Sequence, residues 1–174
     1  MSARVTGLAR LTRQLHDFGQ EGVRMSNAIV QSTADKVVLR AKEATPKDLG
    51  ELTRSIGKEG GNGLATIFVN APYAAYQEFG TGTKVSVPAE LSEIAIKFKG
   101  KGRGSFEEFK TAIKDWMKHK GIDEKYAYVI MMSIIKNGIK PQPFLYPAYV
   151  WGRKELVDKM RVAVREMTRR YNSR

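Results

Sequence analysis

The chain has 174 residues, 30 lysines and arginines against 18 acids for a formal net charge of +12, and no cysteine. That length buries a core without cross-links, and the missing cysteines exclude disulfides, thiolate metal sites and cysteine nucleophiles. The charge invites a polyanionic partner, yet cations are spread along the chain. They run to local excess only at Lys97, Lys99, Lys101 and Arg103 and from Val150 onward, and a solvated helix face is the commoner source of such a pattern.

In chain order, Met1 to Leu11 lacks the apolar core of a secretory signal. From about Leu8 to Ala44 there is no proline, and Phe18, Met25, Ile29, Val30, Val37, Val38 and Ala41 recur at helical spacing. The spacing predicts a long amphipathic helix, with Gly19 and Gly22 marking a break or a separate arm over about 1–22. Thr45-Pro46 ends it, because the residue before proline is pushed out of helical geometry. Leu52 to Gly57 and Leu64 to Asn70 read as the strands of a hairpin turned by Gly60-Gly61-Asn62-Gly63. Both faces of the second strand are apolar enough to be covered.

Asn70 and Pro72 then read as the cap and first turn of a short helix over about 71–79, closed by Gly80. A loop or further strand begins at Thr81-Gly82-Thr83. Lys97 to Gly104 alternates glycine with cations and reads as a mobile linker. Ser105 and Glu108 form a capping box ahead of Phe106, Phe109, Ile113, Trp116 and Met117. Gly121 stops that helix, and a second follows over about 123–136. The longest apolar run, Tyr126 to Ile135, is far short of the roughly 20 residues that cross a bilayer, and it reads as a buried helix. The pair is a helical hairpin inserted over about 105–138. Pro141, Pro143 and Pro147 hold the next segment extended. A final helix runs over about 147–171 with Leu156, Met160, Val164, Met167 and Tyr171 on one stripe. The expected architecture is one α+β domain over 1–174: a long N-terminal helix, a small antiparallel sheet, a helical-hairpin insertion and a C-terminal helix.

No catalytic set emerges. Gly80-Thr-Gly-Thr-Lys84 lacks the Gly-Lys-Ser/Thr ending of a phosphate loop, and the dinucleotide fingerprint would need a third glycine where Val85 stands. His16 and His119 have no second histidine at i+3 or i+4 to build a metal face. Ser55, Ser86 and Ser92 sit in no nucleophile elbow. Neither a cofactor nor an enzymatic activity is expected. Glu78 stands apart, as a charge between Tyr76 and Phe79 at a helix end whose dipole disfavours an anion. It is either an exposed carboxylate or one partner of an ion pair to an arginine, within the subunit or across an interface. Tyr73, Tyr76, Phe79, Phe144, Tyr146, Tyr149 and Trp151 could stack on bases, but core packing or a subunit contact fits them better, because they do not alternate with cations.

Two stretches remain, Ala71-Pro-Tyr-Ala-Ala-Tyr-Gln-Glu-Phe-Gly-Thr-Gly82 and Lys140-Pro-Gln-Pro-Phe-Leu-Tyr-Pro-Ala148. With Leu49-Gly-Glu-Leu-Thr-Arg-Ser-Ile56 ahead of them and the order of elements around them, they resemble the small neck and tail-completion proteins of long-tailed bacteriophages and prophages. The resemblance runs from roughly Val23 to Tyr171. It implies a non-enzymatic virion protein, assembled in the bacterial cytoplasm, that forms a ring at the head-to-tail junction and meets head-closure, tail-terminator or tail-tube proteins, with no membrane. DNA passing through the lumen would be contacted nonspecifically, with Lys97, Lys99, Lys101 and Arg103 as the expected phosphate contacts. The expected subunit interface is Tyr73, Tyr76, Glu78, Phe79, Gly80, Thr81, Gly82, Pro141, Gln142, Pro143 and Phe144. A basic nucleic-acid-binding module is the alternative, which charge clustered on one face of the C-terminal helix would favour.

Overall fold

The computed structural model describes residues 7–47, 50–84, 86–92 and 106–173. The glycine-cation linker, Ser105 of the capping box and the four expected phosphate contacts lie outside them. The architecture is α+β: helix α1 (Leu8–Ala44), a short helix α2 (Glu51–Ser55), strands β1 (Ile56–Glu59) and β2 (Thr66–Val69), and helices α3 (Ala74–Phe79), α4 (Phe106–Lys120), α5 (Ala127–Asn137) and α6 (Leu145–Asn172). Two compact units divide these elements: residues 1–70 with 144–174, and residues 71–143.

In the first unit, α1 runs unbroken for 37 residues through Gly19 and Gly22. The expected break is absent because the side of Gly22 is filled by Met167, whose methyl lies 3.4 Å from where a Cβ would stand. Helix α6 packs antiparallel along α1. Phe18 meets Tyr171 edge to face at 4.9 Å, and the Arg40 guanidinium lies 4.8 Å over the Trp151 ring. Glu21 ties the same seam, accepting from the Tyr171 hydroxyl at 3.2 Å and pairing with Arg170 at 2.9 Å. At Gly152 the helices come so close that a Cβ would overlap Val37. Val37, Ala41, Ala148 and Met167 are buried there, so small residues set the spacing and larger ones fill beside them.

The hairpin pairs Ile56 with Val69 and Glu59 with Thr66. It is shorter than expected, and residues 51–55 are helical rather than extended. A strand would put Arg54 on the face of Leu52 and Ile56, whereas a single helical turn puts Leu52 and Ile56, four apart, on one side, and both are buried. The Ser55 hydroxyl returns to the Leu52 carbonyl at 2.7 Å, a local bond that favours the turn. Gly57 leaves room for the Phe68 ring, 2.5 Å from where a Cβ would stand. The sheet is moored to α1 by Lys58, which pairs with Asp35 at 2.6 Å, and by the Gln31 amide donating to the Leu64 carbonyl at 2.9 Å. The second strand is half-buried, with Leu64 exposed beyond its end.

In the second unit, α4 and α5 form the expected helical hairpin. Met117, Ala127 and Met131 are its buried side chains. The turn between them is closed by the Ile122 amide donating to the Met117 carbonyl at 2.9 Å, by a Lys114–Glu124 ion pair and by Asp123 accepting from the Lys125 amide at 3.0 Å. That backbone bond, with the Lys125 ammonium beside it, holds the Asp123 carboxyl below its ordinary range. No helix among the described residues is long and apolar enough to cross a membrane.

Candidate assembly site

The two sequence motifs meet in space. Helix α3 is shorter than expected, beginning at Ala74 rather than Ala71, and it has no side-chain cap. The Asn70 backbone amide extends the hairpin, donating to the Ser55 carbonyl at 3.0 Å, and Ala71 to Tyr73 form a turn in which the Ala74 amide donates to the Ala71 carbonyl at 3.0 Å. Gly80 closes α3 as expected, and Gly138 closes α5 in the same way. Each donates its amide to the carbonyl four residues back, at 2.9 Å in both cases. Each leaves its helix with nearly the same backbone angles, φ 76 and ψ −175 at Gly80, φ 75 and ψ 175 at Gly138. Only glycine adopts that region without strain.

Two matched helix ends send two segments out side by side. The Thr81 amide donates to the Ile139 carbonyl at 3.0 Å, and the Ile139 amide donates to the Thr81 hydroxyl at 2.8 Å. One turn earlier on α3, Gln77 meets Gln142 twice: its carbonyl accepts from the Gln142 amide at 2.8 Å, and its side-chain amide donates to the Gln142 side chain at 2.9 Å. Four hydrogen bonds, each with a net worth of about 0.5–1.5 kcal/mol, therefore join segments some sixty residues apart. Contact this close requires missing side chains. A Cβ on Gly80 would stand 2.7 Å from the Ile139 carbonyl oxygen and 2.9 Å from Pro141 Cδ, and one on Gly138 would overlap the Thr81 carbonyl. The glycines of Gly-Thr-Gly and Asn-Gly therefore serve close backbone contacts. Residues 82–84 continue as a 3₁₀ turn packed on α5 rather than as a strand.

The expected interface residues divide by burial. Tyr73, Gly82, Gln142 and Pro143 are exposed, while Tyr76, Phe79, Thr81 and Pro141 are half-buried. Gly80 is buried. Glu78 is not the exposed carboxylate that was one reading of it: only 6% of its surface is accessible, and a carboxylate at that depth is tenable only with polar or charged partners. Phe144 is wholly buried and caps α6 in the first unit. It thus belongs to the subunit interior. Of the aromatic set, Tyr146 and Tyr149 lie together at 6.5 Å on α6, again in the first unit.

A surface that the sequence reading placed inside lies next to this junction. Helix α5 buries Ala127 and Met131, but Tyr128 is 67% exposed, Val129 65%, Met132 43% and Ile135 56%. In a two-helix hairpin only one stripe of each helix faces its partner. The signal was present in the sequence: 127, 131 and 134 form one apolar stripe and 128, 132 and 135 form a second, and a helix apolar on two sides packs on more than one neighbour. Ile139, also exposed, follows α5 in the chain and gives its backbone to the junction itself. The described residues here offer packing surfaces and backbone locks, and among them no three His, Asp or Glu side chains gather as a metal site.

No curated protein and no solved structure matches the chain. Residues 9–80, which span α1, the sheet and α3 up to the closing glycine, match the model of the family described as "Bacteriophage HK97-gp10, putative tail-component", the kind of phage tail and neck component that the two motifs resemble.

Proposed function

We propose that this chain is a structural subunit of the head-to-tail junction of a long-tailed phage, at the neck or tail-completion position. Copies of it form a ring that docks to head-closure, tail-terminator or tail-tube proteins in the virion. The family match supports a phage tail component. The observation that carries the finer reading is the second apolar stripe of α5, on the helix that ends at the locked loop junction. Three large apolar side chains in a line, Tyr128, Met132 and Ile135, with Val129 exposed beside them, are more than the scattered exposure of an ordinary surface, and the hydrogen-bonded junction lies at the end of the same helix. Tyr73, Gly82, Gln142 and Pro143 add exposed contact residues around the same locus, with Gly80, Glu78 and the half-buried aromatics fixing its shape. Assembly precedes function here: the protein acts by joining surfaces, and DNA threading the ring meets a chain of net charge +12 without sequence reading.

The experiment is a pair of lysine substitutions on the exposed stripe, Met132→Lys and Ile135→Lys, both helix-compatible. The expected outcome is loss of self-assembly by light scattering and loss of particle joining by complementation, with the melting temperature unchanged. Tight, steeply salt-dependent DNA binding by a chain that never self-associates would instead favour the nucleic-acid module. Against that module, the outward cations of α6, among them Arg153, Lys154, Arg161 and Arg165, are interleaved with Val150, Val157 and Val164, an apolar ridge that a phosphate backbone does not need.

A further inference from the structure

Helix α6 carries a second heptad pattern, exposed along its length. Val150, Val157 and Val164 recur every seven residues and stand about 160°, 140° and 120° around the helix from Gly152, which is pressed against Val37 of α1. They are 47%, 42% and 56% exposed. Four residues after each valine comes a polar side chain, Lys154, Arg161 and Thr168. The six positions alternate in steps of four and three along one line, about 27 Å long at 1.5 Å per residue, and that is the a/d spacing of a helix seam. Valine fills one layer of each heptad, and in the first two heptads a cation fills the next.

Charge on this face is one-sided. Arg153 and Arg165 flank the line, and Asp158 is the acid beside it, paired with Arg161 at 3.6 Å where water screens the contact. Glu155 and Glu166 lie about 160° around the helix from Val157 and Val164, and Glu155 holds Lys159 and Lys36 of α1 there. We infer that this seam receives an acidic amphipathic helix of a different protein of the particle, with aliphatic side chains on Val150, Val157 and Val164 and carboxylates level with Lys154 and Arg161. The inference rests on the docking to other virion proteins proposed above and gives that docking a surface and a partner chemistry.

Three observations select that occupant. An aliphatic ridge of this regularity meets another helix by interdigitation, the helix-in-groove mode of recognition, whereas a phosphate backbone would leave the valines in water. A second α6 is repelled: in parallel it sets Lys154 on Lys154 and Arg161 on Arg161, and antiparallel it sets valines against cations with no carboxylate for either. The exposed stripe of α5 supplies none, since Ala127–Asn137 contains no acid and includes Lys136. Other acids of the chain are already paired within the subunit, Glu21 with Arg170, Asp35 with Lys58 and Glu124 with Lys114.

The test uses the full-length chain and two labelled synthetic helix peptides of about three heptads, one with leucine and glutamate alternating along its seam and one with lysine in place of each glutamate. Fluorescence anisotropy should show binding of the glutamate peptide and about tenfold weaker binding of the lysine peptide. Lys154→Glu with Arg161→Glu should reverse that order, and Val157→Ser with Val164→Ser should weaken the glutamate peptide about tenfold. All four positions are exposed, and circular dichroism checks that folding is kept; Arg161→Gln and Val157→Thr, with smaller effects in the same direction, replace any variant that unfolds. In light scattering the charge-reversed chain should keep the wild-type mass, and in complementation it should fail to join particles. Equal binding of the two peptides, binding of neither, or normal particle joining by the charge-reversed chain overturns the inference. So does binding of duplex DNA without the glutamate peptide, which makes the face a phosphate surface, and so does loss of self-assembly on charge reversal, which makes the occupant a second copy. A wild type that stays monomeric overturns the ring proposed above and leaves the peptide result standing.

Discussion

The two units of this chain are held together by opposite means. The first is a long antiparallel helix pair in which specificity is spread over many side chains along its length: an edge-to-face ring pair, a stacked guanidinium, an ion pair and a handful of buried aliphatics. The second concentrates its specificity in a few backbone atoms, where two helices end on glycines of nearly identical geometry and the segments beyond them run within hydrogen-bonding reach. Distributed packing yields gradually to substitution, since neighbours can adjust. A contact between main chains cannot, because there is no side chain to give way.

Three substitutions break or sharpen that contrast. The largest effect is expected at Gly138→Ala in the second unit. A methyl there combines backbone strain of about 1–3 kcal/mol with overlap on the Thr81 carbonyl, so the junction should open. Hydrogen exchange should accelerate at Thr81, Ile139 and Gln142 while α1 and α6 keep their protection, and equal acceleration in both units would contradict the division. Next comes Gly152→Ala in the first unit, where the methyl meets the Val37 side chain rather than backbone. Overpacking of this kind costs about 1–3 kcal/mol, and Val37→Ala on the same chain should recover most of the lost melting temperature. No such rescue is expected for Gly138→Ala by any change to the side chain of Thr81. The smallest effect is at Gln142→Ala, which removes the side-chain bond to Gln77 and leaves the backbone bond in place. About 1 kcal/mol or less should go, measured as local exchange at Gln142 with no change in global melting.

The sequence was legible where periodicity is long. Helices α1, α4, α5 and α6 follow from 3.6-residue stripes, and their ends from Thr45-Pro46, Gly121 and Asn137-Gly138. It misled where an element is shorter than its own pattern. Five residues from Glu51 to Ser55 are too few to display a period, and the burial of Leu52 beside Ile56, four apart, goes with the helical turn. Asn70 is a good helix cap in isolation, but a turn over residues 71–73 intervenes and α3 starts only at Ala74, too far on for Asn70 to cap. The site was legible in its chemistry and not in its exposure. Glycines at 80 and 138 announced tight backbone geometry, whereas the meeting of residues 77–82 with 138–142 depends on an intervening helical hairpin of the right length. Burial of Glu78 and Phe144, and exposure of Tyr128, Met132 and Ile135, are set by which faces find neighbours within one subunit. Only the α5 case left a trace in the sequence, as a second apolar stripe at 128, 132 and 135. Phe144 in particular is unsuited as an interface probe, because truncating a wholly buried phenylalanine costs about 3–5 kcal/mol of folding stability.

The central claim is that the exposed stripe of α5 is an assembly surface of a ring-forming subunit. Multi-angle light scattering over a concentration series, run on the wild-type chain and on the Met132→Lys, Ile135→Lys variant, tests it most directly. The wild type should form a closed oligomer of fixed mass, and the variant should stay a folded monomer. A wild type that remains monomeric throughout, or a variant that assembles as the wild type does, would contradict it.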